Sequence, residues 1–275
     1  MRRDKKNQQP EKNVSKRDKR KYIEYKQKHK KGDPLPSFSD EVRLNKFISN
    51  AGICSRREAD VLIAAGVVMV NNKVTTELGF KVKPDDEVKY DGETIKSFNK
   101  RYVLLNKPKG FYSTLGESKG RKTAVKLVQK ACKELLFPVD KLDKDATGLL
   151  LFTNDSDLSK KLNHPRFQSK KLYHVELNKP VTKSHLNKLI EGVDLEDGKT
   201  KVLSASHVED GTSREVGVEI SSGKKQVLHR MFEAMGMAVV KLDRVRFSGL
   251  TKKDLPRGMH RHLTENEISF LKMSK

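Results

Sequence analysis

The first forty residues carry so many like charges that they restrict where a folded core can form. They contain fourteen Lys and Arg residues, six Asp and Glu residues and few apolar ones. Such a segment cannot bury enough apolar surface to compensate for the entropy lost on ordering. We therefore expect residues 1–40 to form a disordered basic arm. The whole 275-residue chain has a formal net charge of +22, so the remainder is basic as well, which predicts a polyanionic partner.

Composition excludes several classes of protein. No stretch approaches the roughly 20 consecutive apolar residues of a membrane span, and no apolar segment follows the N-terminal charges. The two cysteines, Cys54 and Cys132, cannot form a disulfide framework or a four-cysteine zinc site. We expect a cytoplasmic protein without a membrane partner, and a monomer is the default oligomeric state.

Two short amphipathic helices and a small sheet are predicted between residues 41 and 98. Apolar residues recur at helical spacing from Leu44 to Ala51. Ser55 and Glu58 have the spacing of a capping box, which predicts the start of a second helix. Short valine-rich runs separated by turn residues, between Val67 and Tyr90, predict hairpin strands.

Strands and helices alternate in the larger region, residues 99–275, and this pattern predicts an α+β domain. The apolar run at 148–153 is unbroken, which is typical of a strand buried on both faces. Other strands are predicted at 102–105 and 172–177, and helices at 124–135, 184–190, 227–235 and from Thr264.

The segment before the 148–153 strand combines several charges with an adjacent core element. If it is extended, Lys141, Asp143 and Asp145 project to one side. This charged segment has three interpretations: a solvated turn, an Asp-x-Asp metal site, or the paired carboxylates of a glycoside hydrolase. The metal site lacks obvious further ligands, and the glycosidase lacks the usual sugar-stacking Trp. A single carboxylate working with a nearby cation is the remaining interpretation.

Residues 42 to about 95 resemble the S-four RNA-binding module. The matching strings are Arg43-Leu44-Asn45-Lys46-Phe47-Ile48, Ser55-Arg56-Arg57-Glu58-Ala59-Asp60 and Gly66-Val67-Val68-Met69-Val70-Asn71. The resemblance implies binding of structured RNA, and the phosphate contacts that it implies are Arg43, Lys46, Arg56 and Arg57.

The whole of residues 42 to 272 resembles RNA pseudouridine synthases of the RsuA type, which modify ribosomal RNA. The matching strings include Leu105-Asn106-Lys107-Pro108-Lys109-Gly110, Leu142-Asp143, Thr147-Gly148-Leu149-Leu150-Leu151-Phe152-Thr153-Asn154-Asp155, Tyr173-His174-Val175 and Arg230-Met231-Phe232-Glu233-Ala234-Met235-Gly236. The resemblance implies an α+β chain: a small α/β S-four-like RNA-binding domain, then a mixed, mainly antiparallel-sheet catalytic domain at residues 99–275.

This family isomerises uridine to pseudouridine, without cofactor or metal, by breaking the base–ribose bond and re-forming it through carbon five. The resemblance implies that Asp143 is the catalytic aspartate, which acts as nucleophile or base. It also implies that Tyr173 stacks on the flipped base, and that Lys107 and Arg230 contact RNA. Without the resemblance, Tyr173 reads as a core residue that shares a strand face with Val175 and Leu177.

Substitutions at Lys141, Val227 and His229 depart from the family pattern, and Val227 stands where the family has a glutamine. Where the family usually reads Gly-Arg-Leu-Asp, this chain has Asp140-Lys141-Leu142-Asp143, so Lys141 keeps a charge but loses a bidentate donor. His229 occupies the position of the Arg or Lys that pairs with the catalytic aspartate in the family. Histidine provides that charge only when protonated. As an alternative, His229 and Arg230 pair with Glu233 on a helix surface.

Two functions remain open at this stage. The first is an active pseudouridine synthase for ribosomal RNA, with the large subunit as the favoured target and a small-subunit or tRNA target still open. The second is a non-catalytic RNA-binding relative that acts in ribosome assembly. Asp143 and Tyr173 favour the first, and the substitutions at Lys141, Val227 and His229 favour the second or a shifted pH optimum.

Overall fold

A computed structural model describes residues 41–83, 85–95, 99–114, 121–164, 167 and 169–274. The predicted basic arm, residues 1–40, and the predicted domain boundary at residue 98 lie outside these ranges. No helix in them is long and apolar enough to cross a membrane.

Short helices and strands alternate along the described residues. The helices are α1 (Leu44–Asn50), α2 (Arg56–Ala64), α3 (Ala124–Val128), α4 (Ser156–Asn163), α5 (Lys183–Glu191), α6 (Val227–Glu233) and α7 (Glu265–Met273). The strands are β1 (Val42–Arg43), β2 (Val68–Val70), β3 (Lys73–Val74), β4 (Lys81–Val82), β5 (Val88–Tyr90), β6 (Glu93–Thr94), β7 (Tyr102–Lys107), β8 (Phe137–Pro138), β9 (Thr147–Thr153), β10 (Lys171–Leu177), β11 (Ser204–His207), β12 (Glu215–Ile220), β13 (Val239–Phe247), β14 (Leu250–Thr251) and β15 (His260–His262).

The N-terminal module packs α1 and α2 on a small core together with short strands. Its four-stranded sheet has the order β3-β2-β5-β6, and β1 pairs with β4. The predicted capping box is present, because the Glu58 amide donates to Ser55 Oγ and the Ser55 amide donates to Glu58 Oε2. Leu44, Ile48 and Ile63 are buried in the module's core.

The larger region is built on a nine-stranded sheet with the order β11-β12-β10-β13-β9-β7-β15, to which β8 and β14 add at β9 and β13. The pairing of β9 with β13 is parallel and the other pairings are antiparallel. The prediction of a mixed, mainly antiparallel sheet in an α+β fold is thus confirmed. Strand β9 is buried from Gly148 to Thr153, as its apolar run predicts.

One predicted helix is shorter than expected. The helix predicted at 124–135 ends at Val128, because the Ala131 amide closes a tight turn on the Val128 carbonyl. The Arg101 Nε then binds Glu134 at 3.0 Å and holds the following residues in a different path. The 141–145 segment is not a strand, and it bends at Lys144 and Asp145.

Candidate active site

A loop from Val139 to Ala146 joins β8 to β9 and carries Asp143. Its C-terminal end is fixed by Gly148, which has a φ of +105°. A Cβ at this position would lie 2.3 Å from the Arg244 carbonyl oxygen on β13. Only glycine allows β9 and β13 to approach this closely, so Gly148 sets the distance between the loop and β13.

The backbone on the N-terminal side of Asp143 is held by Ser113, a buried residue that follows β7. The Ser113 hydroxyl accepts a hydrogen bond from the Leu142 amide at 3.0 Å and donates one to the Leu142 carbonyl at 2.7 Å. Both backbone groups of Leu142, the residue before Asp143, are therefore satisfied by one side chain. Such a contact fixes the direction in which the next residue leaves the backbone.

Lys107 at the end of β7 holds the other side of Asp143. Its ammonium donates to the carbonyls of Pro108, Phe111 and Lys144, and the Gly110 amide also donates to the Lys144 carbonyl. Lys107 is 0% exposed, and burial lowers its pKa to about 8, against the raising effect of nearby Asp143. The expected RNA contact is wrong for this residue, because an enclosed ammonium that binds three carbonyls cannot reach a phosphate.

A buried ion cluster lies beside the loop. Arg244 is 0% exposed and binds Asp140 Oδ2 through Nη1 at 2.6 Å, while Lys171 binds the same oxygen at 3.0 Å. Burial opposes ionisation of Asp140, but the charges of Arg244 and Lys171 outweigh it and lower the pKa of Asp140 to about 2. The Arg244 Nε donates to the Leu149 carbonyl, and its buried Nη2 has no geometrically ideal hydrogen-bond partner among the described residues.

Tyr173 lies on β10 directly opposite Arg244 on β13, and it is 9% exposed. It belongs to the same core cluster as Leu142, Val175 and Leu177, so its core position agrees with the strand pattern. Burial raises the pKa of the Tyr173 hydroxyl, and the charges of Asp140 and Asp143 add to this effect against that of Arg244. The fold thus brings Tyr173 and the half-exposed Asp143 into one neighbourhood.

The C-terminal end of the loop is also tied to β13 through Thr147. Its hydroxyl donates to Asp243 Oδ1 at 2.8 Å, and Asp243 also pairs with Arg257 and Lys252. Burial opposes the charge on Asp243, but these hydrogen bonds outweigh it and lower the pKa of Asp243 to about 2. Asp243 therefore stays ionised and connects β9, β13 and the segment after β14.

The charge partners expected from sequence are placed differently. Lys141 is exposed and makes no ion pair with Asp143 among the described residues. His229 on α6 is half-buried, and no described group contacts its buried Nδ1. Arg230 binds Asp197 at 3.1 Å and the Lys225 carbonyl, so the alternative pairing with Glu233 is wrong for Arg230. The role of His229 as a charge partner stays a prediction.

The expected RNA contacts of the N-terminal module fall into two groups. Arg43, Arg56 and Arg57 are exposed and available to a ligand. Lys46 is 8% exposed, and its ammonium binds Asp157 on α4 at 2.8 Å. Lys46 is therefore corrected from a phosphate contact to an ion pair that joins the module to the larger region.

Sequence reasoning missed Arg244, Lys171, Asp140 and Ser113 as parts of this site. A signal was present for two of them: Arg244 has the same strand parity as buried Leu242, and Lys171 has the parity of buried Tyr173. A basic residue on the apolar face of a strand requires a buried acidic partner.

For the metal alternative, the described residues contain no group of three or more His, Cys, Asp or Glu that could hold an ion.

Comparison with known proteins agrees with this architecture. Residues 101–234 match the RNA pseudouridylate synthase family, and residues 42–88 match the S4 domain family. The chain is 37% identical to ribosomal large subunit pseudouridine synthase B of Bacillus subtilis, over 84% of this chain and 95% of that protein. It is 35% identical to the dual-specificity RNA pseudouridine synthase RluF of Escherichia coli K12, over 85% of this chain and 79% of that protein.

A solved structure shows the same similarity. The crystal structure of a pseudouridylate synthase superposes with a TM-score of 0.58 at 29% identity, and the match covers 84% of this chain and 99% of that chain. Together with the identity to the Bacillus subtilis enzyme, this shows that the chain belongs to the RNA pseudouridine synthase family and carries an S4 domain before its synthase fold.

Proposed function

We propose that this protein converts a uridine of ribosomal RNA to pseudouridine, with Asp143 as the reacting carboxylate. The observation that carries the proposal is the set of contacts on both sides of Asp143. Ser113 holds Leu142, and Lys107 with Gly110 holds Lys144, so the carboxylate is presented from a rigid backbone. Preorganisation of this kind is what a group that attacks or deprotonates a bound nucleotide requires.

Tyr173 supports the proposal as the aromatic surface for the flipped base. It is packed in the core cluster with Leu142, Val175 and Leu177, which fixes the orientation of its ring. Burial raises the pKa of its hydroxyl, which keeps the ring neutral at physiological pH. A neutral aromatic face stacks on a nucleobase, and removal of the base from its duplex exposes the base–ribose bond to Asp143.

The bond changes need no external reactant. The bond between C1′ of the ribose and N1 of uracil breaks, the base turns, and C1′ forms a bond to carbon five. Carbon five then loses its proton and N1 gains one, so atoms and electrons balance within the nucleotide. Asp143 either attacks at the sugar or removes a proton, and both roles require the ionised carboxylate.

We propose that the target is RNA of the large ribosomal subunit. Support comes from the relative named ribosomal large subunit pseudouridine synthase B, which aligns with 84% of this chain. The non-catalytic alternative is not favoured, because the similar curated proteins are named as synthases. We also propose that the protein acts as a monomer in the cytoplasm, where ribosomal RNA would be its substrate.

The target can be tested by mapping pseudouridine in cellular RNA. Ribosomal and transfer RNA would be isolated from cells with the gene, without it, and with Asp143→Asn in its place, and treated with a carbodiimide that marks pseudouridine. We expect one reverse-transcription stop in large-subunit RNA that is present only with the wild-type gene. An unchanged set of stops in all three RNA samples would refute the proposed function, and a lost stop in tRNA would replace the target.

A further inference from the structure

The strongest unexplained feature outside the catalytic site is a buried polar turn that follows β9. Thr153, Asn154 and Asp155 are all buried, although each has a polar side chain. Buried polar groups need hydrogen-bond partners. Many of the partners of these three side chains lie in residues 99–102, the segment that enters β7 after the N-terminal module. The synthase fold therefore holds the segment that connects it to the module.

Two side chains of the turn bind this connecting segment by its backbone. The Thr153 hydroxyl donates to the Arg101 carbonyl at 2.6 Å, and the Arg101 amide donates to Asn154 Oδ1 at 2.7 Å. Asn154 Nδ2 also donates to the Asn99 carbonyl at 3.0 Å. Three hydrogen bonds to backbone groups fix the path of the segment independently of its side chains.

Asp155 binds the connecting segment and begins helix α4 at the same time. Its Oδ2 accepts a hydrogen bond from the Tyr102 hydroxyl at 2.8 Å and pairs with the Lys100 ammonium at 3.1 Å. Its Oδ1 accepts from the amides of Asp157 and Leu158 and so forms the N-cap of α4. The direction of α4 is therefore tied to the connecting segment.

Helix α4 in turn holds the N-terminal module. Asp157 in its first turn binds the buried Lys46 of α1 at 2.8 Å. The other end of α1 packs on the synthase fold as well, because a Cβ at Gly52 would lie 3.5 Å from the Leu135 nitrogen. Domains joined by a linker move relative to one another unless their interface holds them. Contacts at both ends of α1, together with the bound connecting segment, oppose that movement.

Strand β9 connects this turn to the active site. Its seven residues span about 20 Å. At its other end, Thr147 and Gly148 are held against β13 next to the loop that carries Asp143. The strand is buried and lies between β13 and β7 in the sheet. The module is thereby kept at a fixed distance from the reacting carboxylate.

We propose that residues 153–157, the linker-binding turn, determine which uridine is modified, and that Asp157 is a specificity-determining residue of this turn. RNA that contacts the module can present to Asp143 only a uridine at the matching distance. A rigid connection gives a high effective concentration at one spacing and a low one at others. Asp157 acts through Lys46 and is a positioning residue. This inference rests on the proposed function, because it concerns the nucleotide that reaches Asp143.

The first test compares Asp157→Lys with Glu265→Lys in the full chain. Both acids lie in the first turn of a helix, so the variants have the same net charge and lose the same interaction with the helix end, but Glu265 on α7 is exposed and outside the turn. Each variant would act on a large-subunit ribosomal RNA transcript and on a short stem-loop that carries the mapped uridine. We expect Asp157→Lys to lower kcat/KM on the transcript at least about fivefold and to modify additional uridines, with an unchanged kcat on the stem-loop. Glu265→Lys should resemble wild type.

The second test reverses the ion pair. The double variant Lys46→Glu/Asp157→Lys should restore modification of a single uridine, a result that a change in net charge cannot produce. If thermal midpoints show that a lysine variant is unfolded, Asp157→Asn and Glu265→Gln repeat the first comparison.

Three results would overturn the role of the turn: modification of the wild-type uridine alone at wild-type efficiency by Asp157→Lys, an equal loss on both RNAs, or no recovery in a folded double variant. Failure of the wild-type protein to modify either RNA would instead refute the proposed function.

Discussion

Asp140→Asn should destabilise the protein strongly, because Asp140 neutralises two buried cations. Arg244 is 0% exposed, and the Lys171 side chain is 10% exposed. Removal of one partner from a buried ion pair leaves an uncompensated charge and costs about 3 to 5 kcal/mol. The pKa of Asp140, about 2 instead of the ordinary 3.8, corresponds by linkage to about 2 kcal/mol at neutral pH. We therefore expect a loss of about 2 to 5 kcal/mol at pH 7.

The pH dependence of this loss identifies its cause. A carboxylate with a lowered folded-state pKa stabilises the protein above the unfolded-state pKa, and this stabilisation disappears as the pH falls through the folded-state value. The difference between wild type and Asp140→Asn should therefore be constant from pH 7 to about 5. It should decrease between about pH 4 and pH 2, with about half of the linkage contribution lost by pH 3.

Urea unfolding at several pH values measures both effects. Asp194→Asn is the matched control, because Asp194 is an exposed acid outside the cluster, and its effect should stay within about 0.5 kcal/mol. A loss below about 1 kcal/mol for Asp140→Asn, or a difference that does not change below pH 4, would refute the argument that Asp140 compensates Arg244 and Lys171.

Three further predictions concern the loop and helix α6. Ser113→Ala should lower kcat about tenfold with unchanged RNA affinity, because the backbone that carries Asp143 is no longer held. Ser113→Thr should keep most activity, and a change in KM alone would contradict this role. Gly148→Ala should lower the free energy of unfolding in urea by more than about 4 kcal/mol, because its Cβ would overlap the Arg244 backbone. Gly198→Ala, at φ +97° in open space, should lower it by only about 1 to 2 kcal/mol. Equal losses would contradict the close approach of β9 and β13. His229→Arg should preserve or raise activity at pH 8 if His229 supplies a charge to Asp143, and a clear loss in a folded variant would exclude that role.

Local features of the fold were predictable from sequence. The capping box at Ser55 and the helix start at Thr264 were predicted and are present, because each depends on residues three positions apart. The buried strand at 148–153 was predicted for a similar reason, since its apolar run is a property of one segment, and the observed strand is one residue longer. The helix at 124–128 was predicted too long, because its end depends on Arg101 and Glu134, which are 33 residues apart.

The electrostatic parts of the site were not predictable in the same way. Lys107 and Lys46 look like ordinary surface cations in the sequence. The Lys107 ammonium instead binds backbone carbonyls after a turn. The Lys46 ammonium binds Asp157, which is 111 residues away. Asp140 and Arg244 are 104 residues apart, and the strand pattern that requires a buried acid beside Arg244 does not indicate which acid it is. Asp143 and Tyr173 were identified through the family resemblance, and the structure adds the contacts that orient them.

The most direct test of the central claim is release of tritium from carbon five of uridine in unmodified ribosomal RNA. Wild type, Asp143→Asn and Ser113→Ala would be compared from pH 6 to 9, with RNA binding measured in parallel. We predict release by wild type, reduced release by Ser113→Ala and none by Asp143→Asn, with similar RNA affinity for all three. Equal release by wild type and Asp143→Asn, or no release by wild type at any pH despite RNA binding, would contradict the assignment of the isomerisation to Asp143.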